Sequence, residues 1–166
     1  MEIERCTKED FDQILTEIEL FWGSDRTRPP HHPDNLNDFG DTAFVIREGG
    51  KVVAYLFGVI VHVHSDGVER VAYVLHVAVR PEYRRRGLAR RLYSHFVRTT
   101  AARGCTSLHA RTTADNTEAI RFHTSLGMQM RGTPNADGIP VVRIRSDPAT
   151  AWAVFQMPIS RSTRLG

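Results

Sequence analysis

Cysteine is scarce in this chain of 166 residues, with Cys6 and Cys105 the only two. They supply no disulfide framework, and they lack the Cys-x-x-Cys spacing of zinc or dithiol sites. A reducing, cytoplasmic setting is the expectation that follows. Long apolar runs are also missing. The opening segment MEIERCTKEDF is charged and has no signal-like apolar core. Nothing later approaches the ~20 apolar residues of a membrane-spanning helix, so a soluble protein with no membrane partner is expected. Two familiar phosphate-binding signatures are absent as well. No Gly-x-Gly-x-x-Gly follows a strand, and no Gly-x-x-x-x-Gly-Lys-Ser/Thr occurs. No repeat or linker divides the chain, which reads as one domain over residues 1–166.

Hydrophobic residues make up 41% of the chain, enough for a sizeable core. The net charge of +3 and pI near 9.2 suit an anionic ligand without choosing one. The choice comes from Val74 to Arg91, VLHVAVRPEYRRRGLARR. Val71 to Val79 is rich in valine and aromatic residues and reads as a strand, which Pro81 ends by removing a backbone donor. From Gly87 onward, Leu88, Leu92 and Phe96 recur at helical period until Gly104. Arg84 to Ala89 therefore lies at a helix N-terminus, where free N–H groups and the macrodipole favour an anion. Arg84, Arg85, Arg86 and Arg90 add positive charge. A run of three arginines is usually a solvated patch, but the strand, glycine and helix around it favour a phosphate seat.

Arg84-x-x-Gly87-x-Ala89, preceded by Val77-Ala78-Val79-x-Pro81, resembles the Arg/Gln-x-x-Gly-x-Gly/Ala acyl-CoA signature of the GNAT acetyltransferase superfamily. A second family segment, Asn-x-x-Ala-x-x-x-Tyr-x-x-x-Gly-Phe, is matched in spacing at Asn116, Ala119 and Gly127, with His123 at the usual tyrosine position and Met128 at the usual phenylalanine position. Local physics agrees: Ser107 to Ala110 suits a short strand, Asp115 and Glu118 suit a capping pair, and Gly127 suits a helix exit. Asn116 and His123, two turns apart, are expected on one helix face.

The resemblance implies that acetyl-CoA, the acyl donor, enters between two splayed strands. Its pantetheine arm would meet Val77, Ala78 and Val79, and its pyrophosphate Arg84, Arg85, Arg86, Gly87, Leu88, Ala89 and Arg90. Asn116 would contact the same cofactor. The implied reaction is transfer of an acetyl group to a primary amine of a small molecule or peptide by direct attack. His123 would replace the family's tyrosine as the acid that protonates the leaving thiolate, which imidazole does when protonated; the other reading is a hydrogen-bonded core histidine beside Ile120 and Leu126. Neither motif strand, as read here, holds a carboxylate to act as base. Tyr73, His76, His109 and Arg111 are the ionisable candidates, and His76 is the best placed.

Elsewhere, Ile3 to Arg5 reads as a strand, and Thr7 with Asp10 starts a helix carrying Phe11, Ile14, Leu15 and Ile18 to about Trp22-Gly23. Residues 24–40 read as a long loop with one helical turn near 34–39. Thr42 to Arg47 and Val52 to Val63 read as a hairpin around Glu48-Gly49-Gly50-Lys51. Residues 130–140 read as a flexible connection, and Val141 to Arg145 with Ala151 to Pro158 as a closing strand pair. The order is α+β or mixed α/β, and it is the GNAT order: a mostly antiparallel central sheet flanked by helices. Trp22, Phe39 and Trp152 are candidates for an acceptor pocket, although aromatic residues more often belong to the core. His31, His32, His62, His64 and Asp66 tempt a metal reading, but no recognised spacing supports it. Two other functions fit part of the pattern: a non-catalytic acyl-CoA sensor and, less well, a basic nucleic-acid-binding module. Pairing into a homodimer through sheet edges or C-terminal strands is a further expectation from the resemblance.

Overall fold

The structure is a computed structural model and describes residues 1–23, 39–64, 68–144 and 147–165. The loop expected at 24–40 therefore falls almost wholly outside the described residues, as do His31, His32, Asp66 and the side chain of His64.

Strand β1 (Ile3–Arg5) leads into helix α1 (Lys8–Thr16). Thr7 opens that helix as expected: its side chain accepts from the Asp10 N–H while the Asp10 carboxylate accepts from the Thr7 N–H. Asp10 is also bonded to Arg47. The single helix expected to reach Trp22 is instead broken at Glu17 (φ −104°, ψ 21°), and α2 (Ile18–Trp22) follows. Glu17 accepts from Gln13 and Arg80, so the break is tied to the end of the sheet.

Strands β2 (Ala43–Glu48) and β3 (Lys51–His64) form the expected hairpin. Its turn residues Gly49 (φ 58°) and Gly50 (φ 77°) are both left-handed, which matches the twist of the strands. Next come β4 (Val68–Val79), a 3-10 turn (Pro81–Tyr83), α3 (Leu88–Ala102), β5 (Ser107–Thr113) and α4 (Thr117–Ser125). The connection at 130–140 is more ordered than expected. It holds β6 (Gln129–Arg131) and β7 (Thr133–Pro134), and Asn135 closes its turn by accepting from the N–H groups of Asp137 and Ile139. Strands β8 (Pro140–Ile144) and β9 (Asp147–Pro158) complete the sheet.

The nine strands run in the order β1-β2-β3-β4-β5-β9-β8-β7, with β6 also on β9. Among the described residues every pairing is antiparallel except β4 with β5. Helix α3 packs Leu92 and Phe96 on one sheet face, against Phe44, Leu56, Val74 and Leu108. Helices α1 and α2 cover Val45, Tyr55 and Phe57 on the other face. Phe39 is in this second core, stacked on Phe57 at 5.0 Å, so of its two readings, pocket and core, the core one holds.

The site is positioned by where β4 and β5 part. They pair only from Val71–Ser107 to Val74–Ala110. Beyond that, β4 stays on β3 and β5 stays on β9. A register shift at Phe57/Gly58, opposite Leu75, marks the point of divergence. This is a mixed α/β, mostly antiparallel sheet with splayed strands, as the sequence suggested.

Candidate active site

The gap between the strands widens into a cleft of about 700 Å³, lined by residues of α2, β4, β5, α3 and α4. That volume suits a ligand of cofactor size. The backbone of β4 is half open towards it. Arg80 donates its N–H to Val53 C=O, so the antiparallel alternation turns Ala78 and His76 to β3. Val77 and Val79 then face the gap. Arg84 Nε confirms the direction by donating to Val79 C=O at 3.1 Å.

At the far end of the cleft, α3 begins at Gly87, whose left-handed conformation (φ 75°, ψ 10°) offers no side-chain cap. The N–H groups of Leu88, Ala89 and Arg90 have no intrahelical partner at this position. The arginines of this loop have different tasks. Arg84 ties the loop to Val79 and, at 3.1 Å, to Phe21 C=O. Arg86 bonds Glu82 C=O at 3.0 Å and lies over the Tyr83 ring, so it does not line the cleft. Arg85 lines it, and is held at φ 62°, a conformation that is uncommon for a side-chain-bearing residue. Arg90 bonds Ser125 Oγ at 3.1 Å through one nitrogen, while its Nη1 is buried without a hydrogen-bond partner among the described residues. An orphaned guanidinium N–H beside a bare helix start is the donor set that a pyrophosphate fits.

Asn116 lines the cleft and caps α4 by accepting from the Ala119 N–H at 3.1 Å, in place of the Asp115 cap expected. His123 is also in the wall, yet only 5% exposed. Its Nδ1 lies 2.7 Å from Ala119 C=O, which can only accept, so that nitrogen carries the proton. Nε2 then accepts from the Tyr93 hydroxyl at 2.8 Å, and the ring stacks on Phe155. Tyr93 was legible only as a residue on the α3 face; nothing in the sequence paired it with His123. Burial is the main cause that lowers the His123 pKa, opposed by the Ala119 carbonyl.

The sign of the resulting pH effect is definite. The unfolded chain takes up the proton at about pH 6.5, before the folded one, so stability present above that pH is lost as pH falls through the folded pKa. His95 and His109 are shifted in the same direction. A His123→Gln variant is therefore expected to show a reduced, not abolished, loss of denaturation midpoint between pH 7 and 5. A slope equal to that of the wild type would mean that the ring is not held neutral.

His76 lines the cleft on the α2 side of the sheet, with Trp22 nearby in the same wall. The Trp22 indole donates to Tyr55 Oη at 2.6 Å. Tyr73 and His109 lie outside the lining as cross-strand neighbours, with ring centroids 6.5 Å apart. Strand β4 starts earlier than expected and so includes Glu69. That carboxylate is at the other end of the strand, accepting from Thr106 and Ser107. Among the described residues no cluster of three potential metal-ligating side chains occurs, and no helix is long and apolar enough to cross a membrane.

Comparison with known proteins agrees with this geometry. The model of the acetyltransferase (GNAT) family matches residues 8–128. An acetyltransferase of Sodalis glossinidius (strain morsitans) is 31% identical over 136 residues, which cover 79% of this chain and 89% of that one. The yncA structure from Salmonella typhimurium, solved with its cofactor acetyl-CoA, superposes with a TM-score of 0.67 at 18% identity, covering 99% and 97% of the two chains. A ribosomal-protein-alanine N-acetyltransferase of Escherichia coli gives 0.65 at 22% identity, covering 98% and 96%. With the paired motifs, the splayed strands and the bare helix start already in place, these matches make the chain a member of the GNAT acetyltransferase family, and an acyltransferase.

Proposed function

We propose that the protein transfers an acetyl group from acetyl-CoA to a primary amine of a small molecule or peptide, by direct attack in a ternary complex. The observation that carries this reading is the β4–β5 gap, open backbone on one wall and orphaned donors of Arg90 and the α3 start at its end. The E. coli neighbour is an N-acetyltransferase and the S. typhimurium neighbour holds acetyl-CoA, which supports the same donor and the same bond type here.

In this reading Arg85, Arg90 and the first amides of α3 hold the pyrophosphate, while Val77 and Val79 hold the pantetheine arm as an added strand edge would. The thioester then reaches the vertex near Leu75 and His76. The amine nitrogen attacks the thioester carbon and loses its proton to His76, the carbon–sulfur bond breaks, and the departing thiolate is protonated from solvent to the thiol. Backbone N–H groups at the vertex stabilise the developing oxyanion. His76 is the base in this scheme. The acid role that the resemblance implies for His123 requires a charged ring with a free N–H, whereas burial keeps this ring neutral and both nitrogens are engaged. His123 is better assigned to positioning, bridging α4 to α3 through Tyr93.

Calorimetric titration with acetyl-CoA, followed by an amine panel with free-thiol detection, tests the scheme. Binding with thiol release is expected, and His76→Gln should lower kcat about tenfold or more at unchanged acetyl-CoA affinity, since attack by proximity persists. Binding without release on any amine would favour the acyl-CoA sensor. No binding at all would end the reading.

A further inference from the structure

Arg111 is the first residue of β5 past the last β4 pair, Val74–Ala110, and so stands at the vertex of the splay. Ala110 faces the α3 core, and strand alternation sends Arg111 to the opposite face, where it is exposed and still lines the cleft. Its guanidinium lies over the Trp152 ring, 4.5 Å from the centroid. The indole is itself held, donating through Nε1 to Asp147 Oδ2 at 3.2 Å, and Asp147 also accepts from the Thr150 N–H. Among the described residues no carboxylate pairs with Arg111. The result is a cation fixed in orientation by stacking, with its fork of donors free, which is the form suited to bidentate capture of a carboxylate.

Its position separates it from the phosphate end. In the parallel register Arg111 is level with Leu75, four residues or about 13 Å before Val79, and the arginine loop lies beyond that. Arg85 and Arg90 serve one end of the cleft, and Arg111 stands at the other, where the acetyl group must be delivered.

We infer that Arg111 selects the acceptor, and that the acceptor is a small amine carrying a carboxylate, an amino acid in the broad sense. This rests on the transferase reading above. The carboxylate docks on Arg111 and thereby presents the amine at the vertex. The described lining of the cleft is mostly positive, with Arg84, Arg85, Arg90, Arg111 and Arg121 against Glu118 as the one acidic residue among the described lining residues, which argues against polyamines.

The test uses the twenty amino acids, each beside its carboxamide, with O-phosphoethanolamine as a further arm and acetyl-CoA binding measured separately. The wild type is expected to favour the carboxylate form of its best acceptor about 10- to 100-fold in kcat/KM. Arg111→Gln should erase that preference through acceptor KM, leaving acetyl-CoA affinity unchanged, and Arg111→Lys should restore part of it. Trp152→Leu should raise acceptor KM in the same direction by a smaller factor. Equal use of carboxylate and carboxamide, a preference that survives Arg111→Gln, better use of the phosphate-bearing amine, or no turnover of the panel would each overturn the inference. If acetyl-CoA binds and amines without a carboxylate are acetylated as efficiently as those with one, the transferase reading stands and this one falls. If acetyl-CoA does not bind, both fall.

Discussion

Gly87→Glu should lose acetyl-CoA binding by at least about 100-fold while the protein stays folded. The position has room, because a Cβ built there meets nothing within 4 Å, so packing is not the obstacle. A side chain at φ 75° costs about 1–2 kcal/mol of backbone strain, a few degrees of melting temperature. The larger effect is electrostatic. A carboxylate placed over the bare N–H groups of α3 would take the seat proposed for the pyrophosphate and repel it, and like charges so placed cost several kcal/mol, with each 1.4 kcal/mol worth tenfold in affinity. Gly87→Asn is the matching control, since asparagine tolerates the left-handed region and adds no charge. It should retain most of the affinity. Wild-type affinity in Gly87→Glu would place the cofactor elsewhere in the molecule.

Gly58 has the reverse character. A Cβ there would come within 2.5 Å of Phe96 Cε2 and Cζ and 2.9 Å of Tyr73 C=O. The phenyl ring is fully buried and the carbonyl is backbone, so neither yields cheaply. Gly58→Val is expected to destabilise the fold by about 3 kcal/mol, the upper end of core overpacking, or roughly 6–12 °C of melting temperature for a domain of this size. Because Gly58 sits at the register shift where β4 leaves β5, the displaced α3 should also weaken acetyl-CoA binding. Thermal melts and titrations on the same variant would show both losses. A melting temperature within 2 °C of the wild type would mean that Phe96 has more freedom than its packing indicates.

How far the sequence could be read depended on whether a feature was local. Val77 to Ala89 announced itself because strand, proline turn, glycine and helix follow one another within a few residues, and each leaves a compositional mark. The Gly49-Gly50 turn and the Thr7 cap were legible for the same reason. What escaped was long-range. The Tyr93–His123 bond joins helices 30 residues apart, and no periodicity encodes it. Three adjacent arginines look alike in sequence, yet only the folded loop sends Arg86 outwards over Tyr83 and Arg85 into the cleft. Phe39 was open to both a pocket and a core reading, and burial against Phe57 decided it. Residues 130–140 read as flexible since strands of three and two residues carry too little pattern to notice.

The four-pair ladder between β4 and β5 joins two larger antiparallel blocks, β1 to β4 and β5 to β9. Each block is zipped along its length, and the seam between them is short. A molecule lying along the open edge of β4 acts as a staple across that seam. The enzyme should therefore be tighter when loaded than when empty, gaining about 2.7 kcal/mol at a ligand concentration 100 times its dissociation constant. The donor is then both a reactant and, until the thiol departs, a temporary part of the scaffold.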